Sequence, residues 1–334
     1  MELGRQTAYD PRVMERKAHL DGMAIGSLLL CCVLWGLNQV ATKVALAEIP
    51  PLLQASVRSL GAAALLALWA RVRGIPLAER DGTLGGGLVA GALFAAEFAC
   101  IFIGLQFTAA SRMIVFVYLA PFVVALGMPF IAHAERLSPS QLAGLVGAFA
   151  GVAWAFAEGF HAPAAGERQW IGDALGLAAA VLWGATTLVI RATPLATAKA
   201  EKTLLYQLAI SGVALGLGSL LSGEPWPVTL SSTSLLPLCF QTVVITFASY
   251  LLWFWLVRHY PATQLSSFTL LTPIAGLFAG VWLLGEPITR RLVVALAAVS
   301  CGIAIVNGVS PRVTRAVTAP SRDERARRSA RLSS

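Results

Sequence analysis

Three charged side chains that could take part in chemistry lie within long apolar stretches of this sequence. Lys43, Arg58 and Glu97 have no charged neighbour within four residues on either side. A charge in lipid is energetically unfavourable, so each of them is expected to be functional or paired. Glu97 is the one carboxylate we place within a membrane span, so it is the candidate proton-exchange group. The alternatives are a structural salt bridge between Glu97 and Arg58, and extension of Lys43 toward water.

Aromatic and amide side chains predict the walls of a cavity. Trp35 and Trp183 stand near the middle of two apolar runs, and each precedes a glycine. Asn38 follows Trp35 by three residues, on the same helix face, where its amide needs a partner in lipid. The alternatives are tight packing of the two indoles over the glycines and amide bonds to a neighbouring helix. Four further polar residues could line the same path: Gln54, Tyr206, Gln207 and Tyr250.

Two prolines predict breaks in two other apolar runs. Pro121 and Pro273 each stand near the middle of such a run. Proline lacks an N–H and clashes with the preceding turn, so both helices are expected to bend. In membrane proteins built from two repeated halves, broken helices at corresponding positions of the halves mark a binding site or its gates. Passive packing kinks are the alternative.

The composition indicates that membrane helices position these residues. The 334 residues are 57% hydrophobic and 13% charged, with a mean hydropathy of +0.73, which excludes a water-soluble domain with one core. Apolar runs of about 20 residues with short connections are typical of membrane-spanning helices, not of a β-barrel. The predicted fold class is an all-α membrane protein with ten transmembrane helices. The spans are 22–47, 51–70, 84–108, 113–132, 138–157, 174–193, 203–222, 235–257, 262–285 and 292–310.

The basic residues predict how these spans are oriented. Loops rich in Lys and Arg stay cytoplasmic, and of 25 such residues 19 fall on the side of the two termini against four on the other. Both termini are therefore expected in the cytoplasm. The net charge of +8 is spread over tails and short loops, so it predicts no nucleic-acid partner. The lipid bilayer is the expected partner, and the basic carboxyl-terminal tail either contacts headgroups or is solvated.

The sequence repeats itself after about half its length. A Leu-Trp-Gly motif at 34–36 recurs at 182–184, and Pro121 recurs as Pro273. The matched positions are 148 to 152 residues apart, which indicates a real duplication. Five spans cross the membrane an odd number of times, so the two halves must be inverted, as in secondary transporters. The predicted organisation is a tail at 1–21, repeats at 22–158 and 172–310, a periplasmic linker at 159–171 and a tail at 311–334.

These ordered motifs resemble the EamA-type five-helix unit of the drug/metabolite transporter superfamily. That unit carries Trp-Gly in its first helix, Pro in its fourth and Glu after the fourth, here Glu135 and Glu286. The chain is also similar over its whole length to amino-acid exporters of the YddG type. This resemblance implies gradient-driven export of aromatic or other apolar amino acids across a bacterial inner membrane. The second half has Arg191 in place of Lys43 and Tyr206 where Arg58 would recur, so the halves need not bind substrate equally.

The leading hypothesis is thus a secondary exporter of small amphipathic metabolites. A zwitterion would sit between aromatic walls with its carboxylate facing Arg58 or Lys43. The alternatives are a carrier of another metabolite or drug (a sugar, nucleotide sugar or cation) and a non-transporting scaffold. The sequence contains no catalytic constellation, phosphate loop or metal-ligand spacing, so neither an enzyme nor a cofactor is predicted. The oligomeric state is left open, and a monomer is compatible with the sequence.

Overall fold

The computed structural model describes residues 20–131, 138–161, 166–260, 265, 268–269 and 271–308. Every regular element within these ranges is helical. The elements are α1 (Gly22–Ala45), α2 (Pro51–Val72), α3 (Leu84–Gly104), α4 (Ala110–Val117), α5 (Ala120–Ile131), α6 (Pro139–His161), α7 (Gln169–Ala192), a 3₁₀ turn (Pro194–Ala196), α8 (Ala200–Leu221), α9 (Ser232–Cys239), a π-helical segment (Phe240–Ser249), α10 (Tyr250–His259), α11 (Leu271–Leu284) and α12 (Arg290–Gly308).

Eight helical stretches in the described part of the chain are long and apolar enough to cross a bilayer. Two are composite: α4 continues into α5, and α9 continues through the π segment into α10. The predicted span 262–285 lies partly outside the described residues, and its described part contains α11, which is apolar but shorter. α12 covers residues 292–308 of the predicted span 292–310. The all-helical membrane class is confirmed. The count of ten spans stays a prediction, and Glu135 and most of both tails lie outside the described residues.

Long contacts between helices build the bundle. α6 lies along α12, and α2 lies along α8. α3 packs between α7 and α8, α1 packs on α11, and α7 packs on α4 and α5. The largest buried apolar cluster joins α2, α3 and α8, and a second joins α4, α5, α6 and α12.

Carboxylates cap several helix N-termini. Asp21 accepts from Ala24 N at 2.9 Å at the start of α1. The backbone N–H groups of Leu52 and Leu53, at the start of α2, donate to Glu224 at 3.0 and 2.9 Å. Glu48 accepts from the backbone N and the hydroxyl of Ser231 ahead of α9, and these hydrogen bonds lower the pKa of Glu48. A negative charge at a helix N-terminus satisfies its unbonded N–H groups and complements the helix dipole.

The predicted span 113–132 is broken between α4 and α5. Tyr118 and Leu119 form a turn in which Leu119 N bonds to Phe116 O at 3.1 Å. Pro121 has no N–H to donate to the end of α4, so the α-helical ladder stops there. The helix is interrupted just before Pro121, and a bend of the whole span at this point stays a prediction. Pro273 is the third residue of α11, and the residues just before that helix are described only in part, so its bend stays a prediction.

Glycines bring pairs of helices together at the repeated Leu-Trp-Gly motif. A Cβ atom at Gly36 of α1 would lie 2.7 Å from the backbone nitrogen of Gly276 in α11. A Cβ atom at Gly184 of α7 would lie 2.5 Å from a side-chain carbon of Val123 in α5. Both glycines therefore permit a close approach that a larger residue would prevent.

We expect Gly36→Ala to lower the free energy of unfolding by about 1 to 3 kcal/mol, the usual range for overpacking. The added methyl group meets backbone of α11, which cannot rotate aside as a side chain can. Gly26→Ala in the same helix is the matched control, because a Cβ there meets nothing within 4 Å. Thermal unfolding in detergent micelles checks the pair, and equal Tm values for the two variants would contradict the contact.

Candidate functional site

Four buried polar side chains lie between α2, α3 and the π segment. We call Gln54, Arg58, Glu97 and Gln241 the central polar cluster. Three of them are 0% exposed, and Glu97 is 5% exposed. Gln54 Nε2 donates to Gln241 Oε1 at 3.3 Å, and Arg58 follows Gln54 by one turn on the same face of α2. The α2 and π helices therefore bring an amide pair next to a buried charge.

Several atoms of this cluster have no hydrogen-bond partner among the described residues. They are all three Arg58 nitrogens, Glu97 Oε2, Gln54 Oε1 and Gln241 Nε2. The structural salt bridge between Arg58 and Glu97 is not formed, since no nitrogen of Arg58 has a partner among the described residues. The Arg58 guanidinium instead lies 4.0 Å from the ring centroid of Phe98. Buried polar groups without partners are rare in proteins and need an explanation, such as water or a ligand.

Aromatic rings border this cluster from two sides. Trp35 donates its indole N–H to Ser249 Oγ at 2.9 Å, and its ring lies edge-on to Tyr250 at 6.5 Å. Tyr250 packs against the buried apolar cluster that holds Phe98, the ring that contacts Arg58. Trp183 packs against the same cluster and lies edge-on to Tyr118 at 5.7 Å. The two tryptophans thus reach the same region through two tyrosines.

The π segment carries the groups that join α1 to this region. Gln241 Oε1 accepts from Thr42 Oγ1 of α1 at 3.2 Å, and Ser249 accepts from Trp35. Asn38 stands one turn before Thr42 on the same face of α1, and its Oδ1 has no partner among the described residues. π-helical turns inside membrane helices frequently occur at functional sites, because the wider turn redirects side chains. The sequence gives no sign of this segment.

Lys43 contacts a backbone oxygen and a carboxylate at one end of the bundle. Its Nζ donates to the backbone oxygen of Thr108 at 2.7 Å and lies 3.4 Å from Glu286 Oε1. Glu286 accepts from the backbone N of Ala110 and of Ser111 at 2.7 and 2.9 Å, so it caps α4. We call this end of the molecule, which also holds the α1–α2 turn, the Lys43 end. Lys43 is 31% exposed, so it is held by these groups and only partly extended toward solvent.

A buried ionic network at the Lys43 end corrects three interpretations of the sequence. The sequence places Arg112 in a loop, but Arg112 lies inside α4 and is 3% exposed. It donates to both carboxylate oxygens of Asp173 in α7, and to Glu158 Oε2 of α6 at 2.8 Å. Both acids lie within helices, so Glu97 is not the single carboxylate in a span, and Asp173 belongs to a helix whose predicted span begins only at 174.

A second group of charges lies at the opposite end of the bundle. Lys202 of α8 donates to Asp81 Oδ1 at 2.7 Å and to the backbone oxygen of Glu79 at 2.6 Å. The hydrogen bonds from Lys202 and Thr83 hold the pKa of Asp81 well below its usual value. We call this the Lys202 end. Tyr206 belongs here, since its hydroxyl lies 3.3 Å from Thr83 Oγ1.

The structure therefore separates the predicted site residues into groups. Trp35, Tyr250, Arg58, Glu97 and Gln54 come together, and Trp183 adjoins them through Tyr118. Tyr206 packs on Gly87 near the start of α3, ten residues and about 15 Å of helix from Glu97. Gln207 is buried on α8 and has no described contact with the central polar cluster.

Two segments of the chain, residues 22–157 and 170–308, match the EamA-like transporter family. Together they cover most of the sequence. The chain belongs to the EamA-like transporter family. An EamA-like protein is a membrane transporter, which agrees with the apolar helices of the bundle.

Curated proteins are similar to most of the chain as well. The protein "Uncharacterized transporter YvbV" of Bacillus subtilis is 29% identical over 84% of this chain and 90% of its own length. A "Probable amino-acid metabolite efflux pump" of Salmonella typhimurium is 28% identical over 83% of this chain and 92% of its own length. A solved crystal structure at 18% identity covers 87% of this chain and 99% of that chain with a TM-score of 0.61, which shows a likeness of fold.

Membership of the EamA-like family fixes the broad activity. These relatives are named as transporters and efflux pumps, not as enzymes. The protein is therefore a multi-pass membrane transporter of a small molecule. Sequence reasoning missed Tyr118, Gln241 and the Arg112 network. Of these, only Tyr118 had a signal in the sequence, because it stands three residues before Pro121.

Proposed function

We propose that this EamA-like transporter exports aromatic and other neutral amino acids across a bacterial inner membrane. The substrate enters a cavity between two halves, and access alternates between the two sides. The observation that carries the proposal is the central polar cluster, several of whose buried polar atoms have no hydrogen-bond partner among the described residues. The edge-on pair of Trp35 and Tyr250 supplies aromatic rings beside it. Polar groups that fix orientation within aromatic walls suit a small amphipathic ligand.

The names of two relatives support the substrate class. The Salmonella typhimurium protein and a 28% identical protein of Escherichia coli are both named "Probable amino-acid metabolite efflux pump". The central polar cluster has one cation, Arg58. Nucleotide sugars carry several negative charges and would favour more cations in the cavity, so an amino acid fits better.

The packing of the helices supports two inverted five-helix repeats. If α7 corresponds to α1 and the α4–α5 pair corresponds to α11, the contact of α1 with α11 matches that of α7 with α5. The contact of α3 with α7 likewise matches that of α9 with α1. Two separate family matches of similar length agree with a duplication. In this arrangement the Lys43 end faces the periplasm, and the Lys202 end and both termini face the cytoplasm.

Uptake into proteoliposomes tests the proposal. Purified protein is reconstituted, and labelled phenylalanine, methionine, threonine, glutamate and a UDP-sugar are offered with and without a pH gradient. We expect uptake of the neutral amino acids and none of the UDP-sugar. Uptake without the gradient indicates a facilitative mechanism, and uptake only with it assigns proton coupling to Glu97. Inactivity toward every amino acid would overturn the substrate class and leave the family assignment intact.

The cavity itself is tested by Trp35→Ala and Trp183→Ala. We expect each variant to transport phenylalanine at least about tenfold more slowly, since a large buried aromatic contact is worth more than 1.4 kcal/mol. Trp282→Ala is the matched control, because Trp282 is a helical tryptophan that is 86% exposed on α11. Expression and Tm are measured for all three. Normal transport by both cavity variants would remove the cavity from the mechanism.

A further inference from the structure

We infer that Arg58 is the receptor for the substrate carboxylate and that Glu97 receives the substrate ammonium group, so the central polar cluster selects zwitterions. This inference rests on the proposed function, because it assigns the charges of the same site. It also decides between the two cations, Arg58 and Lys43, that the sequence offers for the carboxylate.

The first observation is that Arg58 is buried without an acceptor. Its side chain is 0% exposed, and none of its three nitrogens has a hydrogen-bond partner among the described residues. The ring of Phe98, 4.0 Å away, holds the guanidinium in place. A cation–π contact engages the charge and leaves the N–H donors available, and these donors match a carboxylate in a bidentate arrangement.

The second observation is that Lys43 already has acceptors. Its Nζ contacts the backbone oxygen of Thr108 and the carboxylate of Glu286. A substrate carboxylate at Lys43 would lie beside the like-charged carboxylate of Glu286, which also caps α4. Arg58 has no such competing acceptor among the described residues.

The third observation concerns the charge beside Arg58. Glu97 is buried directly before Phe98, whose ring contacts Arg58, and its Oε2 has no partner among the described residues. An anion such as phosphate would be attracted by Arg58 and repelled by Glu97. A cation would be attracted by Glu97 and repelled by Arg58. A zwitterion places one charge against each residue, so its complex leaves no buried charge unpaired.

Competition binding to the purified protein tests the inference. Labelled phenylalanine is displaced by phenylalaninamide, which lacks the carboxylate, and by N-acetylphenylalanine, which lacks the ammonium group. We expect the native protein to bind phenylalanine about 10- to 100-fold more tightly than either analogue, the usual effect of losing one charge-assisted pair. An analogue that binds as tightly as phenylalanine would overturn the assignment of the corresponding residue.

Arg58→Gln completes a thermodynamic cycle for the carboxylate. The preference for phenylalanine over phenylalaninamide should shrink to within about twofold, the usual error of additivity. Lys43→Gln serves as the comparison and should keep the native preference, whatever its absolute affinity. If Lys43→Gln loses the preference and Arg58→Gln keeps it, then Lys43 binds the substrate carboxylate and the inference is refuted.

Gln54→Glu provides a second route that retains Arg58 if Arg58→Gln does not fold. The new carboxylate stands one turn from Arg58 on α2 and should occupy its guanidinium. We expect weaker phenylalanine binding with little change for phenylalaninamide, and an unchanged preference would count against the inference. If the native protein binds no amino acid, the proposed function fails; if it binds phenylalanine and these preferences are absent, the charge assignment alone fails.

Discussion

Replacement of Arg112 by alanine is expected to lower the free energy of unfolding by about 3 to 5 kcal/mol, the usual loss when one partner of a buried ion pair is removed. Asp173 is 0% exposed, and among the described residues its carboxylate would keep the Thr108 hydroxyl, which donates to it at 2.7 Å. Glu158 would keep only the Thr289 hydroxyl among the side-chain contacts described here. Denaturant titration in detergent micelles measures the loss.

Two comparisons make this expectation specific. Arg168→Ala removes an exposed arginine at the same end that lies 5.3 Å from the ring of Phe107, and its loss should stay below about 1 kcal/mol. Adding Asp173→Asn and Glu158→Gln to Arg112→Ala should restore part of the stability, because neutral amides are less unfavourable when buried. Equal stability of Arg112→Ala and Arg168→Ala would show that the network contributes nothing.

The Arg112 network could not be predicted from the sequence alone, because its charges lie inside helices. Membrane spans are drawn in a sequence by leaving charged residues out, so a charge that is neutralised inside a helix is assigned to a loop. Asp173 stands one residue before the predicted span 174–193, and α7 begins four residues earlier than Asp173. Pairing with Arg112 removes the penalty that the span rule assumes. Hydropathy therefore locates these helices correctly, but the spans that it predicts are too short where a helix end contains a buried ion pair.

The aromatic residues show a different limit. The spacing of Trp35 and Trp183 predicts two related helices, and both glycines that follow these tryptophans make close helix contacts. Spacing does not tell which helix faces each indole. Ser249 and Tyr250, the partners of Trp35, lie at the end of the π segment, and its wider turn shifts side chains relative to an α-helix. The polar candidates predicted from the sequence therefore included Tyr250 but not Gln241.

The second large effect is expected from Glu286→Ala. Its carboxylate accepts from two backbone N–H groups of α4 and contacts Lys43. The α4 helix has eight residues and ends at a break, and helices of that length are marginal without added contacts. Loss of the cap and of the ion pair should together lower the free energy of unfolding by about 2 to 4 kcal/mol.

Glu224→Ala is the matched control for Glu286→Ala. Glu224 caps α2 through the same arrangement of two successive backbone N–H groups, at 3.0 and 2.9 Å, and is half-buried with no ion pair described. The difference between the two variants therefore measures burial and the contact with Lys43. A double-mutant cycle with Lys43→Met isolates that contact. If Glu286→Ala unfolds no more easily than Glu224→Ala, then Lys43 does not stabilise the capped end of α4, and Lys43 becomes available to bind substrate.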